Sequence, residues 1–254
     1  MLENIQMCFL GSNNILAIEY LKAIKQLNSK IYPITIKRAG TAYNSLETSG
    51  KFASATAIRE MIFKKKNIQK FLPESSYEIL REELKNGRYV QDISCFGKEI
   101  IYKIRSMSID AIANIADVAE GLENKIKSSA SCCNNFNELI KMIKSKRYTL
   151  TRIYRIMLYI LLDITKKDIE NAKKTIPYIR VLGTNNYGKK LLSYLNNSTK
   201  LKLITSVKQF INQNNDKILK SMLAKDILAT DIYTLGYKNF SEANLDFTKR
   251  IITK

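Results

Sequence analysis

Histidine and tryptophan do not occur in the 254 residues, and proline occurs only three times. The lack of His removes the commonest general base, the commonest metal ligand and every Ser-His or Cys-His nucleophilic arrangement. Acidic residues are scarce as well: 23 Asp and Glu stand against 42 Lys and Arg, a formal net charge of +19. So large an excess points to a polyanionic partner, for which nucleic acid is the best fit, beside the plainer reading of a genomic bias towards Lys, Ile and Asn. The four cysteines, Cys8, Cys95, Cys132 and Cys133, form no C-x-x-C pair. They read as reduced, mostly buried thiols rather than a zinc site. Long apolar runs are missing too, since Ile156 to Leu162 falls far short of the ~20 residues that cross a membrane. The beginning, MLENIQMCFLGSNN, shows no basic region followed by an apolar one, so no signal peptide is indicated and a cytoplasmic location with no membrane contact is expected. What remains is 45% hydrophobic with 9 Gly, the composition of a globular chain of one large domain or two to three small ones.

Ile15, Ile18, Leu21, Ile24 and Leu27 recur at three-residue steps and predict an opening helix, with Ser12 or Asn13 as its N-cap. The β-branched and aromatic IYPITIK at 31–37 reads as a strand, followed by a long loop through Gly50. Ser54 and Thr56 are positioned to cap a helix that runs into Lys64-Lys65-Lys66. Helix, strand, loop, helix is the order of a parallel α/β unit, yet a single strand has no sheet to join, so partner strands are expected from elsewhere. Pro73 marks a boundary, Ser75-x-x-Glu78 reads as a capping box, and Gly87 closes the helix that follows. Residues 97–119, 136–146 and 150–164 carry helical spacing without a strand between them. Beyond Pro177, YIRVLG and LKLITSV read as strands around a helix from Tyr187 to Leu195, with a last helix from Lys217 to Ala229. The expected domains are therefore 1–72, an α/β fragment; 73–175, helical; and 176–254, a small α/β unit.

Three motifs bear on chemistry. Gly183-x-x-x-x-Gly188-Lys189 follows a strand and precedes a helix, but residue 190 is Lys where a nucleotide loop needs a hydroxyl for magnesium, so an ordinary turn is the better reading. Lys141 to Arg155 holds Lys141, Lys144, Lys146, Arg147, Arg152 and Arg155 with no acidic residue, interleaved with Tyr148 and Tyr154. Cations neutralise phosphates and tyrosines stack on unpaired bases, so this run reads as an RNA face, against the plainer reading of a solvated helix surface. Ala53-Ser54-Ala55-Thr56-Ala57-Ile58-Arg59 gathers hydroxyls and backbone N–H groups at a helix N-terminus, with Arg59 one turn further on, which suits a phosphate.

SNNILAIEYLKAI at 12–24, ITIKR at 34–38 and ASATAIR at 53–59 together resemble the second half of the nucleotidyltransferase domain of bacterial tRNA(Met) cytidine acetate ligases. AEGLENKI at 119–126, SKRYTLTRIYRIMLYILL at 145–162 and YIRVLG at 178–183 resemble the C-terminal helical region of that family, in the same order. The resemblance implies a Rossmann-like fragment followed by a mainly helical region. It also implies an enzyme that activates acetate with ATP as acetyl-adenylate and acetylates the wobble cytidine of elongator tRNA(Met), magnesium accompanying the ATP. Carried over by position, Asn13, Arg38, Ser54, Thr56 and Arg59 are the ATP-facing residues, and Lys146, Arg147, Arg152 and Arg155 the tRNA-facing ones. The departure is that the family carries an H-x-G-H motif in its N-terminal segment and this chain has no His, while Ser12 replaces a proline common before NNIL. The resemblance thus implies the later part of a longer protein, inactive alone and expected to associate with itself or with the missing segment. Two alternatives stay open: an RNA-binding module without chemistry, and a related adenylyltransferase acting on a small acid.

Overall fold

Short polar side chains start the helices, and basic side chains from elsewhere finish several of them. The computed structural model describes residues 12–36, 52–119, 121–239 and 242–253, without the side chains of Ser12 and Asn13. The chain divides into two compact units, Met1–Leu72 and Pro73–Lys254.

In the first unit, α1 (Ser12–Gln26) and α2 (Ala55–Phe63) are helices. The strand expected at 31–37 is not found in the described residues: 29–36 runs without strand pairing. Ile31, Tyr32, Ile34 and Ile36 are 69–91% exposed there. The composition is that of a buried strand, but strand propensity is realised only against neighbours, and none is paired with it among these residues.

The second unit begins with α3 (Glu74–Lys85), whose N-cap is Pro73 with no side-chain cap bond. The Ser75 capping box is therefore not used; proline's fixed φ starts the helix instead. Gly87, at φ +69°, ends it as expected. The apolar run at 97–119 is two helices, α4 (Gly97–Ser106) and α5 (Ile109–Ala113), because Ser108 turns out of the first and caps the second, accepting from Ala111 N–H at 3.1 Å. Then follow α6 (Leu122–Cys132), α7 (Phe136–Ile143), α8 (Leu150–Leu162) and α9 (Lys166–Lys174). Ile100, Ile104, Ile126, Leu139, Ile143, Ile153, Ile156 and Ile160 are fully buried in one cluster where these helices meet. Close packing costs freedom of shape: a Cβ on Gly97 would lie 2.7 Å from that of Phe136. Of the described cysteines, Cys133 is buried while Cys95 and Cys132 are exposed, contrary to the expectation of mostly buried thiols; Cys8 lies outside the described residues.

Part of the basic complement is structural. The Lys127 ammonium donates to the carbonyls of Ile104, Arg105 and Met107 at 3.1, 2.7 and 2.5 Å, closing the end of α4. In return Arg105 donates to the carbonyls of Ala130 and Cys133 at the end of α6. Lys103 and Lys225 share the end of α8, donating to the carbonyls of Leu161 and of Leu162 and Asp163 respectively. Each cation meets carbonyls left without intrahelical partners at the negative end of a helix dipole.

The tail is a β-α-β unit: β1 (Tyr178–Arg180) and β3 (Lys202–Ile204) pair in parallel across α10 (Asn186–Ser198). A second parallel pair joins β2 (Gly183–Thr184) to β4 (Ile252–Thr253). Helices α11 (Val207–Gln213), α12 (Lys217–Leu235) and α13 (Leu245–Thr248) complete it. Ile204, Val207, Leu223 and Ile227 form its own apolar cluster. The chain is mostly helical, with strands of two or three residues among the described residues.

Tyr178 ties β1 to α12, its hydroxyl donating to Asp226 Oδ2 at 2.6 Å. Burial first, and then that bond, hold its phenol above the ordinary 10.0. A proton held more tightly in the folded chain stabilises it fully below the unfolded value, and that contribution is lost as pH rises through the folded one. Tyr178→Phe is expected to cost about 1.5 kcal/mol at neutral pH, the worth of a hydrogen bond to a charged group. Urea unfolding at about pH 7 and about pH 10.5 checks this: the gap between wild type and variant should narrow at the higher pH.

Candidate functional site

Two clusters of the expected residues lie in different units. In the first, Ser54 is extended (φ −71°, ψ 156°) and 7% exposed, and its Oγ accepts from Ala57 N–H at 3.0 Å. This fixes the start of α2, whose first turn carries no acidic side chain to offset the positive end of its dipole. Thr56 is half-buried in that turn, and Arg59 is exposed one turn on. An anion at this end would meet backbone N–H groups and, with a modest reach, a guanidinium. Arg38 and the side chain of Asn13 lie outside the described residues, so of the expected ATP set only Ser54, Thr56 and Arg59 are brought together, on one helix.

The second cluster is built on a tight turn: Tyr148 N–H donates to Ser145 O at 3.3 Å, which leaves Lys146 and Arg147 exposed at the tip. Thr149 then caps α8, accepting from Arg152 N–H at 3.4 Å. Tyr148 is only 6% exposed, and Tyr154 stacks on Phe136 with ring centroids 6.3 Å apart. Tyr148 is part of the core and Tyr154, half-buried, packs against it, so the pair does not form the open base-stacking surface expected. Tyr148 instead organises cations: the guanidinium carbons of Arg152 and Arg147 lie 5.2 and 5.9 Å from its ring centre. The expectation of uncompensated charge also needs correction. Asp117, 35 and 38 residues upstream and at φ +63°, accepts Arg152 Nη2 on its carbonyl at 2.8 Å and Arg155 Nε on its carboxylate at 2.5 Å. Arg152 and Arg155 are thus held by the fold, while the turn presents Lys146 and Arg147 outward. Asp117 and the ordering role of Tyr148 escaped sequence reading, because no short-range pattern links IADVAEG to RYTLTRIYR.

Among the described residues no cluster of three or more metal-ligating side chains occurs, and no helix is long and apolar enough to cross a membrane.

Comparison with known proteins decides the family. The model of the HIGH nucleotidyl transferases matches residues 2–247. The chain belongs to that family. Within it, the chain is 45% identical to a tRNA(Met) cytidine acetate ligase of Caldanaerobacter subterraneus, over 98% of its own length and 61% of that protein's. It is 39% identical to the Acetivibrio thermocellus protein of the same name, over 98% of this chain and 62% of that one. The crystal structure of apo Thermotoga maritima TmcAL superposes with a TM-score of 0.85 at 28% identity, covering 96% of this chain and 60% of that one. A second form of that protein, bound with alpha-thio ATP, superposes at 0.82 and 27% identity, over 95% of this chain and 59% of that one. The chain therefore spans about three fifths of the length of the relatives it matches.

Proposed function

We propose that this chain works in tRNA modification as the later portion of a tRNA cytidine acetate ligase. In this reading ATP activates acetate as acetyl-adenylate, and the acetyl group passes to the exocyclic amine of the wobble cytidine in elongator tRNA(Met). Ser54, Thr56 and Arg59, with Asn13 and Arg38, hold the phosphates of ATP and its accompanying magnesium. Lys146 and Arg147, backed by Arg152 and Arg155, meet the tRNA backbone. Relatives of that name at 39–45% identity support it. The observation that carries it furthest is the row of guanidinium groups ordered by Tyr148 and Asp117, since preset cations lose less freedom when they engage phosphates. Lack of His and the exposed Ile31, Tyr32, Ile34 and Ile36 support a division in which a preceding segment brings the H-x-G-H motif and the partner strands.

The test is tRNA affinity against salt. Arg152→Ala would disturb the contact with Asp117, so the informative variant is Lys146→Ala with Arg147→Ala, both exposed at the turn. Each lost phosphate contact should flatten the salt slope by about one unit. Fluorescence anisotropy with labelled tRNA(Met) at several salt concentrations reads affinity and slope together. Unchanged values, with circular dichroism showing the fold intact, would reduce this turn to a solvated surface. The second reading, an RNA-binding module without chemistry, is favoured by one observation, the absence of His. Binding without pyrophosphate release, even when a polypeptide carrying H-x-G-H is added, would select it.

A further inference from the structure

A cleft of about 530 Å³ opens in the C-terminal α/β unit, away from the residues discussed so far. Its walls are the second half of α10, the edge of β3 and the outer side of α11. Strand β3 pairs with β1 alone, so its other edge is open among the described residues. The chemistry of the lining is one-sided. Lys200 and Lys202 contribute two cations; hydroxyls and amides such as Ser193, Asn196 and Gln209 make up most of the rest; no carboxylate is present.

One wall holds an unsatisfied donor. Asn214 Oδ1 accepts from Asp216 N–H at 3.2 Å, which sets the amide so that Nδ2 is its remaining group. That Nδ2 is buried and has no hydrogen-bond partner. A buried amide donor left without an acceptor costs free energy, and this one, closed to solvent, stands behind the surface of the cleft rather than on it.

We propose that this cleft is a second RNA contact, taking the ribose-phosphate backbone of an unpaired stretch, with the lysines on phosphate and the amides and hydroxyls on 2′-hydroxyls and phosphate oxygens. It rests on the reading above in taking RNA as the polyanion. A ligand of this class is rich in acceptors and negative charge, which matches two cations, a lining of hydroxyls and amides, and the absence of carboxylates. The volume lies within the range of about 300–1,000 Å³ typical of ligand sites, enough for a nucleotide but not for a duplex. Neither lysine lies near Lys146 in sequence, and both are exposed, so each can be removed without disturbing the core.

Lys200→Ala with Lys202→Ala is measured against two labelled probes, tRNA(Met) and a short single-stranded oligouridylate. The oligouridylate affinity is expected to fall at least about fivefold. The salt slope for each probe is expected to flatten by about 1.4, two single-strand phosphate contacts at about 0.7 each. If wild type ignores tRNA but binds the oligouridylate through these lysines, the tRNA reading falls and the cleft stands. If the variant binds both probes as wild type does, or wild type does not bind the oligouridylate, the cleft proposal is overturned. Displacement of the oligouridylate by polyglutamate of equal charge and length, as readily as by unlabelled RNA, would overturn it too, since the cleft would then select charge alone.

Discussion

Supplied with acetate, ATP and magnesium, the chain alone is expected to release pyrophosphate no faster than the uncatalysed background. Adenylate formation moves charge onto the departing pyrophosphate, and catalysis of such a step depends on donors aimed at that charge in advance. Each such donor is worth about 10²–10³ in rate. The resemblance assigns two of them to imidazoles, and this chain has none. On the reading proposed above, Ser54, Thr56 and Arg59 hold the triphosphate from one helix end and supply nothing for the motion of charge across it. Adding a polypeptide that carries the H-x-G-H segment should restore turnover; the chain's own turnover at the rate of a full-length relative would show that imidazoles are not needed. A coupled pyrophosphate assay reads both.

Ile156→Ala should be the most damaging conservative change to stability. Ile156 is fully buried on α8, the helix that packs on α4 and starts at the Thr149 cap beside the basic turn. Losing three side-chain carbons, a methylene and two methyls, costs both transfer free energy and a cavity the neighbouring isoleucines cannot fill, about 2–5 kcal/mol. A domain's whole stability is about 5–15 kcal/mol, so much of the reserve would go. Leu158, two residues on and 40% exposed, is the control, with an expected loss from Leu158→Ala of about 0.5 kcal/mol. Urea midpoints at constant m-value measure the two. Equal losses would mean that α8 does not bury the face described here.

Most local signals translated into structure, the Ser75 capping box being an exception. The three-residue spacing of Ile15 to Ile24 became α1, Ser54 became a cap, and YIRVLG and LKLITSV became the paired strands of a β-α-β unit. Signals that needed a distant partner did not translate. IYPITIK has the residues of a strand but no ladder in the described chain, and the basic segment looked uncompensated because Asp117 is far away in sequence. Tyr154 packs on the core from α8 and Tyr148 is buried from the turn that precedes it, neither of which spacing alone distinguishes from an outward stripe. Helix α9 was legible but overlooked: its residues are nearly all polar, and the sign of it is the reciprocal cap between Thr165 and Asp168. Of the candidate site, the helix end at Ser54 could be seen from composition and order. The arrangement of guanidiniums could not, being a product of tertiary contact.

The lysines that finish helices give the protein two populations of amine. Lys103, Lys127 and Lys225 lie against main-chain carbonyls, Lys127 with three acceptors and the other two with two each, so their nitrogens are tied to the fold and less open to electrophiles. Lys146, Lys200 and Lys202 stand in water. An acylating reagent at low dose will therefore mark the outer set and spare the inner one, with or without RNA. Protection mapped by mass spectrometry would then be read against a built-in internal standard: any new silence on adding RNA belongs to an amine that was reactive before, and labelling of Lys127 would report that the end of α4 had opened.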